Sequence, residues 1–327
     1  MTLRSETVNV ALALDTEHPM CIWGFVMGRH TSKEVQKGGP SYLMTSNPYT
    51  KPHATAEERV AHLQAKGLVI ASPEIAAQEI EQIGYERLRI YFLSRRDLSR
   101  PGKPFESGTT YKNILRLYEC DVELRNVCLS AVGRFELLLR NRISEVLSGR
   151  LGSHPYFKTS AFANAEKHNE ALQKILQVFT SSKDERAKHY RRTYTEPPLP
   201  PIWMLKEFLT FGASARFYGA LANPIREEIA KAFKVPSLSV FDSWVPGFVD
   251  LRNICAHHDR LFNRRFQKQP ERFRRANVPL ANPTTLKAQL ECLDYVLRAD
   301  GATSDLVEKV RRTINRFPEI RSDEVGY

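Results

Sequence analysis

Residues 244–265 read WVPGFVDLRNICAHHDRLFNRR and bring an arginine–asparagine pair, two adjacent histidines and further arginines into one stretch. Asn253, His257, Arg260 and Arg264 step by 4, 3 and 4, so on a helix they fall within about 60° of one another. Trp244, Phe248, Leu251, Cys255, His258 and Phe262 step along another face, which predicts a buried apolar side. The pattern therefore separates the histidines, with His258 toward the core and His257 on the polar face. An imidazole titrates near neutral pH and can take a proton from a ribose 2′-hydroxyl or give one to a leaving oxygen. A guanidinium stabilises charge gathering on phosphate oxygens. Arg252, Asn253 and His257 together suit metal-free cleavage of RNA. A lone histidine on a solvated face would mean nothing of the kind; the matched neighbours give it weight.

One geometric difficulty stands in the way. Arg252 and His257 are five residues apart, about 140° round a helix. Either Arg252 reaches around, or the helix ends near the histidine, or two chains pair about a two-fold axis and bring two copies of the set to one seam. A metal site from Cys255, His257 and His258 is disfavoured, because these side chains diverge on a helix and a fourth ligand is missing. No metal and no cofactor are expected. No GxxxxGK, GxSxG or HExxH pattern occurs, which leaves ATPase, serine-hydrolase and zinc-protease chemistry without support.

The charge is placed as unevenly as these side chains. The 327 residues carry a formal net charge of +11, and none of the excess lies in residues 1–50. The densest run, DRLFNRRFQKQPERFRR at 259–275, opposes seven bases to two acids, with Phe262, Phe266 and Phe273 between them. Arg260, Asn263, Arg264, Arg265, Lys268, Arg272, Arg274 and Arg275 are the expected RNA contacts. Two readings of the run stay open: phosphate contact with base stacking, or a solvated face with core phenylalanines. A second run, Arg87 to Lys103, sets six bases against Asp97. Five cysteines without a CxxC pair point away from a disulfide framework or zinc ribbon and toward a reducing cytoplasm. No apolar run approaches the ~18–20 residues of a membrane span, and Val8–Leu14 is too short for a secretory leader.

The elements that must hold this segment are helical. Thr55 and Glu58 form a capping box, with Val60 and Leu63 on one face and a stop at Gly67. Ser72-Pro73 opens a second helix carrying Ile80 and Ile83, and Tyr85, Leu88 and Phe92 start a third. From Tyr111 to Gly149 a stripe of Ile114, Tyr118, Val122, Leu129, Val132, Phe135, Leu139, Ile143 and Val146 predicts one long helix. Glu136 and Arg140 form an i,i+4 pair on it. Further helices are expected near 166–179 and over 202–211, 213–221 and 225–233, with Pro197, Pro198, Pro200 and Pro201 breaking the chain. No period-two alternation appears, so the fold class is all-α. The predicted organisation is a tail or small appendage over 1–45, an N-terminal helical region over 46–105, and a helical bundle over 106–320 with a less regular connection at 152–200.

Arg252-Asn253-Ile254-Cys255-Ala256-His257 matches the R-x4-6-H motif of the HEPN superfamily, and LRNICAHHDRLFNR at 251–264 resembles the signature of the Abi-like (AbiD/AbiF-type) abortive-infection family. KPHATAEERVAHLQAKGLVI at 51–70, IGYERLRIYF at 83–92, FELLLRNRI at 135–143 and LPPIWMLKEFLTFGASARFY at 199–218 agree in order. Phe262 departs from the pattern, where tryptophan is expected. The resemblance covers about residues 50–265. It implies a phage-defence protein with a HEPN-like helical bundle, acting as a metal-independent endoribonuclease and homodimer. It also implies restraint by a small non-coding RNA. Arg252 and His257 would take the catalytic places and Asn253 the polar accessory place, with His258 the fallback under an R-x5-H reading. The alternative is a non-catalytic protein of the same fold that binds structured RNA. LRNVC at 124–128 echoes LRNIC at 251–255, but Ser130 stands where His257 would align, so no second active motif is expected.

Overall fold

A computed structural model describes residues 48–50, 52–299, 301 and 304–327. The appendage expected at 1–45 lies outside the described residues. The chain divides into two compact units, Met1–Lys112 and Asn113–Tyr327.

In the first unit, α1 (Ala56–Ala65), α2 (Pro73–Ile83) and α3 (Tyr85–Leu93) pack in sequence order. The Thr55–Glu58 capping box forms as its residues predict, and Val60, Leu63 and Ile80 are buried. The chain leaves α1 at Gly67 with φ of +91°, a turn that a side chain would strain. The basic run of this unit is not a continuous surface. Arg95 is buried, while Arg96 donates to the Lys103 carbonyl at 2.6 Å and lies over the Phe105 ring.

The second unit is organised on α4 (Tyr111–Leu151), 41 residues and about 60 Å long at ~1.5 Å per residue. After it come α5 (Ala165–Ser181), α6 (Glu185–Thr193), α7 (Ile202–Leu205), α8 (Phe211–Ala220), α9 (Asn223–Ala232) and α10 (Leu238–Ala256). Two C-terminal helices follow, α11 (Leu286–Ala299) and α12 (Leu306–Asn315). Among the described residues only isolated bridges and no strands occur, so the fold is all-α. Nor is any helix among them long and apolar enough to cross a membrane. Phe135 of α4 sits at the centre of the core, with its ring 4.8 Å from Phe248, 5.3 Å from Phe233 and 6.1 Å from Phe211. The pairs with Phe248 and Phe211 are edge-to-face, an arrangement that adds to area burial. The helix predicted over 202–211 is instead α7 plus a short 3-10 turn, because Thr210 caps α8 by accepting from the Ala213 amide.

The buried stripe of α4 also differs from the predicted one. Leu117, Asp121, Leu124, Cys128 and Leu147 are buried, whereas Leu129 and part of Tyr118, Val122 and Val146 face outward. The apolar residues chosen by periodicity alone skipped a carboxylate that belongs to the core face.

Candidate functional site

Helix α10 ends immediately before the two histidines. The Asp259 amide donates to the Ile254 carbonyl at 2.9 Å and the His258 amide to the Cys255 carbonyl at 3.3 Å, while His258 has φ of 58°. This is a Schellman stop with a histidine in the left-handed position that glycine usually takes. Both predicted stripes therefore break at this point. His258 is exposed rather than on the core face, since its backbone makes the turn. Phe262 is buried, but from the loop beyond the helix. Arg260 and Arg264 likewise leave the helical polar face. Arg260 donates through Nη1 to the carbonyls of Phe262 and Asn263 and braces the loop.

A carboxylate from α4 secures this stop. Asp121 is fully buried and accepts from the amides of Leu261 and Phe262 at 3.0 and 2.9 Å. It also pairs with Arg125 at 2.5 Å. The echo between 124–128 and 251–255 becomes a meeting in space. Leu124 and Leu251 are both buried, and the Cys128 and Cys255 thiols are neighbours. The adjacent thiol and burial push the Cys128 thiol well above its ordinary range. Cys255 thus faces α4, away from the exposed His257, and does not converge with it on a metal. No cluster of three or more such ligands is found among the described residues.

The end of α10 forms one wall of a cleft of about 260 Å³, with Asp250, Asn253, Ile254 and His257 lining it at helical spacing. Arg264, Arg265, Phe266 and Gln267 line the other wall, and Asp259 stands at the end. Arg252 lies outside the lining and touches it through Asn253, its Nη1 donating to the asparagine Oδ1 at 3.4 Å. On its other side, Arg252 Nε lies 3.7 Å from Oε2 of Glu136, a nearly buried carboxylate that also accepts from Arg140. Glu136 is therefore more than a helix-surface pair: one carboxylate orients two guanidiniums. The helix end does not remove the geometric difficulty: the His257 amide still donates to the Asn253 carbonyl at 2.9 Å, so His257 keeps its helical angle, and Asn253 is the residue between it and Arg252.

The segment beyond the cleft is pinned by its backbone and its rings. Phe266 donates its amide to the Thr284 carbonyl at 2.8 Å, Trp244 Nε1 to the Glu271 carbonyl at 2.8 Å, and Gln289 Nε2 to the Lys268 carbonyl at 2.7 Å. Phe262, Phe266 and Phe273 are buried, so they are core anchors and not stacking platforms for bases. Arg265, Lys268, Arg272, Arg274 and Arg275 are left exposed, with Asn263 beside them at φ of 48°. A single glycine lets α11 come this close to α10. A Cβ on Gly247 would stand 2.3 Å from Oε1 of the buried Gln289.

Sequence reasoning missed Asp121 and Asp250, and it read Glu136 only as the partner of Arg140 and not of Arg252. Asp121 and Glu136 sit where the apolar repeat of α4 calls for an apolar side chain, and that break in pattern was the available signal. Asp250 lies four residues before Ile254 and seven before His257, one helical face that an inventory of bases passes over.

Neither a search of curated proteins nor a search of solved structures gives a significant match. The model for Abi-like proteins matches residues 78–263, more than half of the chain and inclusive of both α4 and the end of α10. The chain thus belongs to the Abi-like protein family, an assignment that points to abortive infection as a defence against phage.

Proposed function

We propose that this protein is a metal-independent endoribonuclease of the HEPN type acting in abortive infection, with His257 and Arg252 as its catalytic residues. The observation that carries the reading is the position of Asn253. It accepts a hydrogen bond from Arg252 and lines one cleft with His257 and Arg264. His257 takes the proton of a ribose 2′-hydroxyl, and the oxygen attacks the adjacent phosphorus. The 5′-oxygen of the next nucleotide leaves with a proton. Arg252, held by Glu136, and Arg264 offset the charge on the phosphate oxygens. The products are a 2′,3′-cyclic phosphate and a 5′-hydroxyl. A homodimer would supply the second imidazole as acid, and the exposed bases of 265–275 would hold the substrate and a restraining small RNA.

A binding-only protein is the second reading, and the position of Arg252 outside the cleft lining favours it. Cleavage of labelled RNA in EDTA separates the two. Arg252→Ala and His257→Ala should each lose roughly 10²-fold or more in rate while retaining RNA affinity. A wild-type protein that binds RNA and cuts none leaves the binding-only reading. Strict Mg²⁺ dependence or 5′-phosphate products would refute the mechanism.

A further inference from the structure

The cleft contains a group that a phosphate site would not choose. Asp250 projects into it from α10, between walls that otherwise carry Arg264, Arg265 and His257. Burial raises its carboxyl above the ordinary value, while Lys268 and Arg264 act from a distance to lower it. Among the described residues no donor lies within hydrogen-bonding distance of this carboxylate, and no cation lies within ion-pair distance. A carboxylate accepts hydrogen bonds and donates none, so it repels a phosphate and welcomes adjacent N–H groups. Ile254 and Phe266 supply apolar surface to the same cleft, and Asn253 and Gln267 supply amides. Seven of the nine lining residues are polar, so the cleft meets a ligand mainly with hydrogen-bonding and charged groups and only a small apolar share. A volume of about 260 Å³ suits one nucleotide and excludes a duplex.

We infer that the cleft between α10 and residues 264–267 is a nucleobase subsite for single-stranded RNA, in which Asp250 selects guanine. This rests on the RNA-cleaving reading above and deepens it. Guanine alone presents two parallel donors, N1–H and the N2 amino group, on its Watson–Crick edge, and these match the two oxygens of a carboxylate. Adenine, uracil and cytosine each offer one donor position there. Unstacked bases of single-stranded RNA are commonly read on this edge, against aromatic or guanidinium planes. Arg264 and Arg265 border the subsite and lead to the exposed bases of the following segment. A continuous strand would thus place its base by Asp250 and its phosphates along the arginines. Asp250 is here a specificity-determining residue, and His257 remains the proton-transfer group.

The test uses the full chain, fluorescence anisotropy, and 2′-fluoro oligouridine nine-mers that lack the nucleophilic hydroxyl and carry one central guanine, inosine, N1-methylguanine or adenine. Wild-type protein should prefer guanine over inosine and adenine by roughly five- to a hundred-fold, the range of a good bidentate base contact. N1-methylguanine should lose a similar factor. Asp250→Asn presents a donor where guanine also donates, so it should abolish the preference while overall affinity holds or rises as a negative charge is removed. The inosine and N1-methylguanine arms need no variant, which keeps the test intact if Asp250→Asn folds poorly. Equal binding of all four oligonucleotides sinks the subsite alone. A preference that survives in a folded Asp250→Asn sinks the role of Asp250. Free guanosine monophosphate binding as tightly as the oligonucleotide would overturn the assignment to RNA. Absence of any oligonucleotide binding would overturn the RNA reading itself and the subsite with it.

Discussion

Replacing Asp121 should unfasten the end of α10 from α4, and its size can be worked from the contacts. Asp121→Ala removes the acceptor of two backbone amides, Leu261 and Phe262, and leaves the Arg125 guanidinium buried without this partner. Hydrogen bonds to a charged group contribute ~1.5–3 kcal/mol each. Breaking a buried ion pair by deleting one member costs ~3–5 kcal/mol. These terms meet at one carboxylate and do not add in full, so the expected loss is ~4–6 kcal/mol. Against a domain stability of ~5–15 kcal/mol, that is a large share. Urea denaturation followed by circular dichroism would measure it. A double variant, Asp121→Ala with Arg125→Met, should recover ~2 kcal/mol, because the stranded charge goes while the two amides stay unsatisfied. Asp121→Asn keeps an acceptor and should lose less than the alanine variant, with faster hydrogen exchange at Leu261 and Phe262 as its local sign. If Asp121→Ala costs less than ~1 kcal/mol, the range of an ordinary surface change, then the carboxylate does not anchor the loop and the account of how the cleft is held fails.

Three further outcomes are expected. Gly247→Ala should push Gln289 from the Lys268 carbonyl and destabilise by ~1–3 kcal/mol, the cost of overpacking. Increased proteolysis within 264–275 would report it, and an unchanged digestion pattern would contradict the tight α10–α11 approach. His258→Gly should raise thermal stability, since the left-handed turn costs a non-glycine residue ~1–2 kcal/mol, and it should leave RNA cleavage intact. A loss of cleavage there would move the proton-transfer role to His258. Neutralising Arg265, Lys268, Arg272, Arg274 and Arg275 one at a time should lower the salt slope of single-stranded RNA binding by about 0.7 per phosphate contact removed. A slope that does not move would take that residue out of the interface.

Several features were legible in the order of residues because they depend on short-range chemistry. The α1 capping box, the positive-φ exit at Gly67, the proline start of α2 and the long helix from Tyr111 follow from local rules about backbone donors, steric freedom and apolar repeats. The all-α class and the family follow from the same string. The face of a residue near a helix end does not. Extending one angular ramp through 244–264 put His258 in the core and Arg260 and Arg264 on one polar stripe. The ramp stops at Ala256, where His258 turns left-handed, and Asp121, over a hundred residues earlier, holds the loop beyond it by taking the amides of Leu261 and Phe262.

What the amino-acid string determined by itself is therefore the helical class, the family, and a neighbourhood in which arginine, asparagine and histidine recur. Only the folded chain decided that the phenylalanines of 262–273 are anchors, that Glu136 orients Arg252, and that Asp250 shares a cleft with His257. The physical reason is range. Caps and periodicity act within a turn or two of helix. A buried carboxylate instead chooses its partners by proximity in space, and only packing α10 against α4 and α11 creates that proximity.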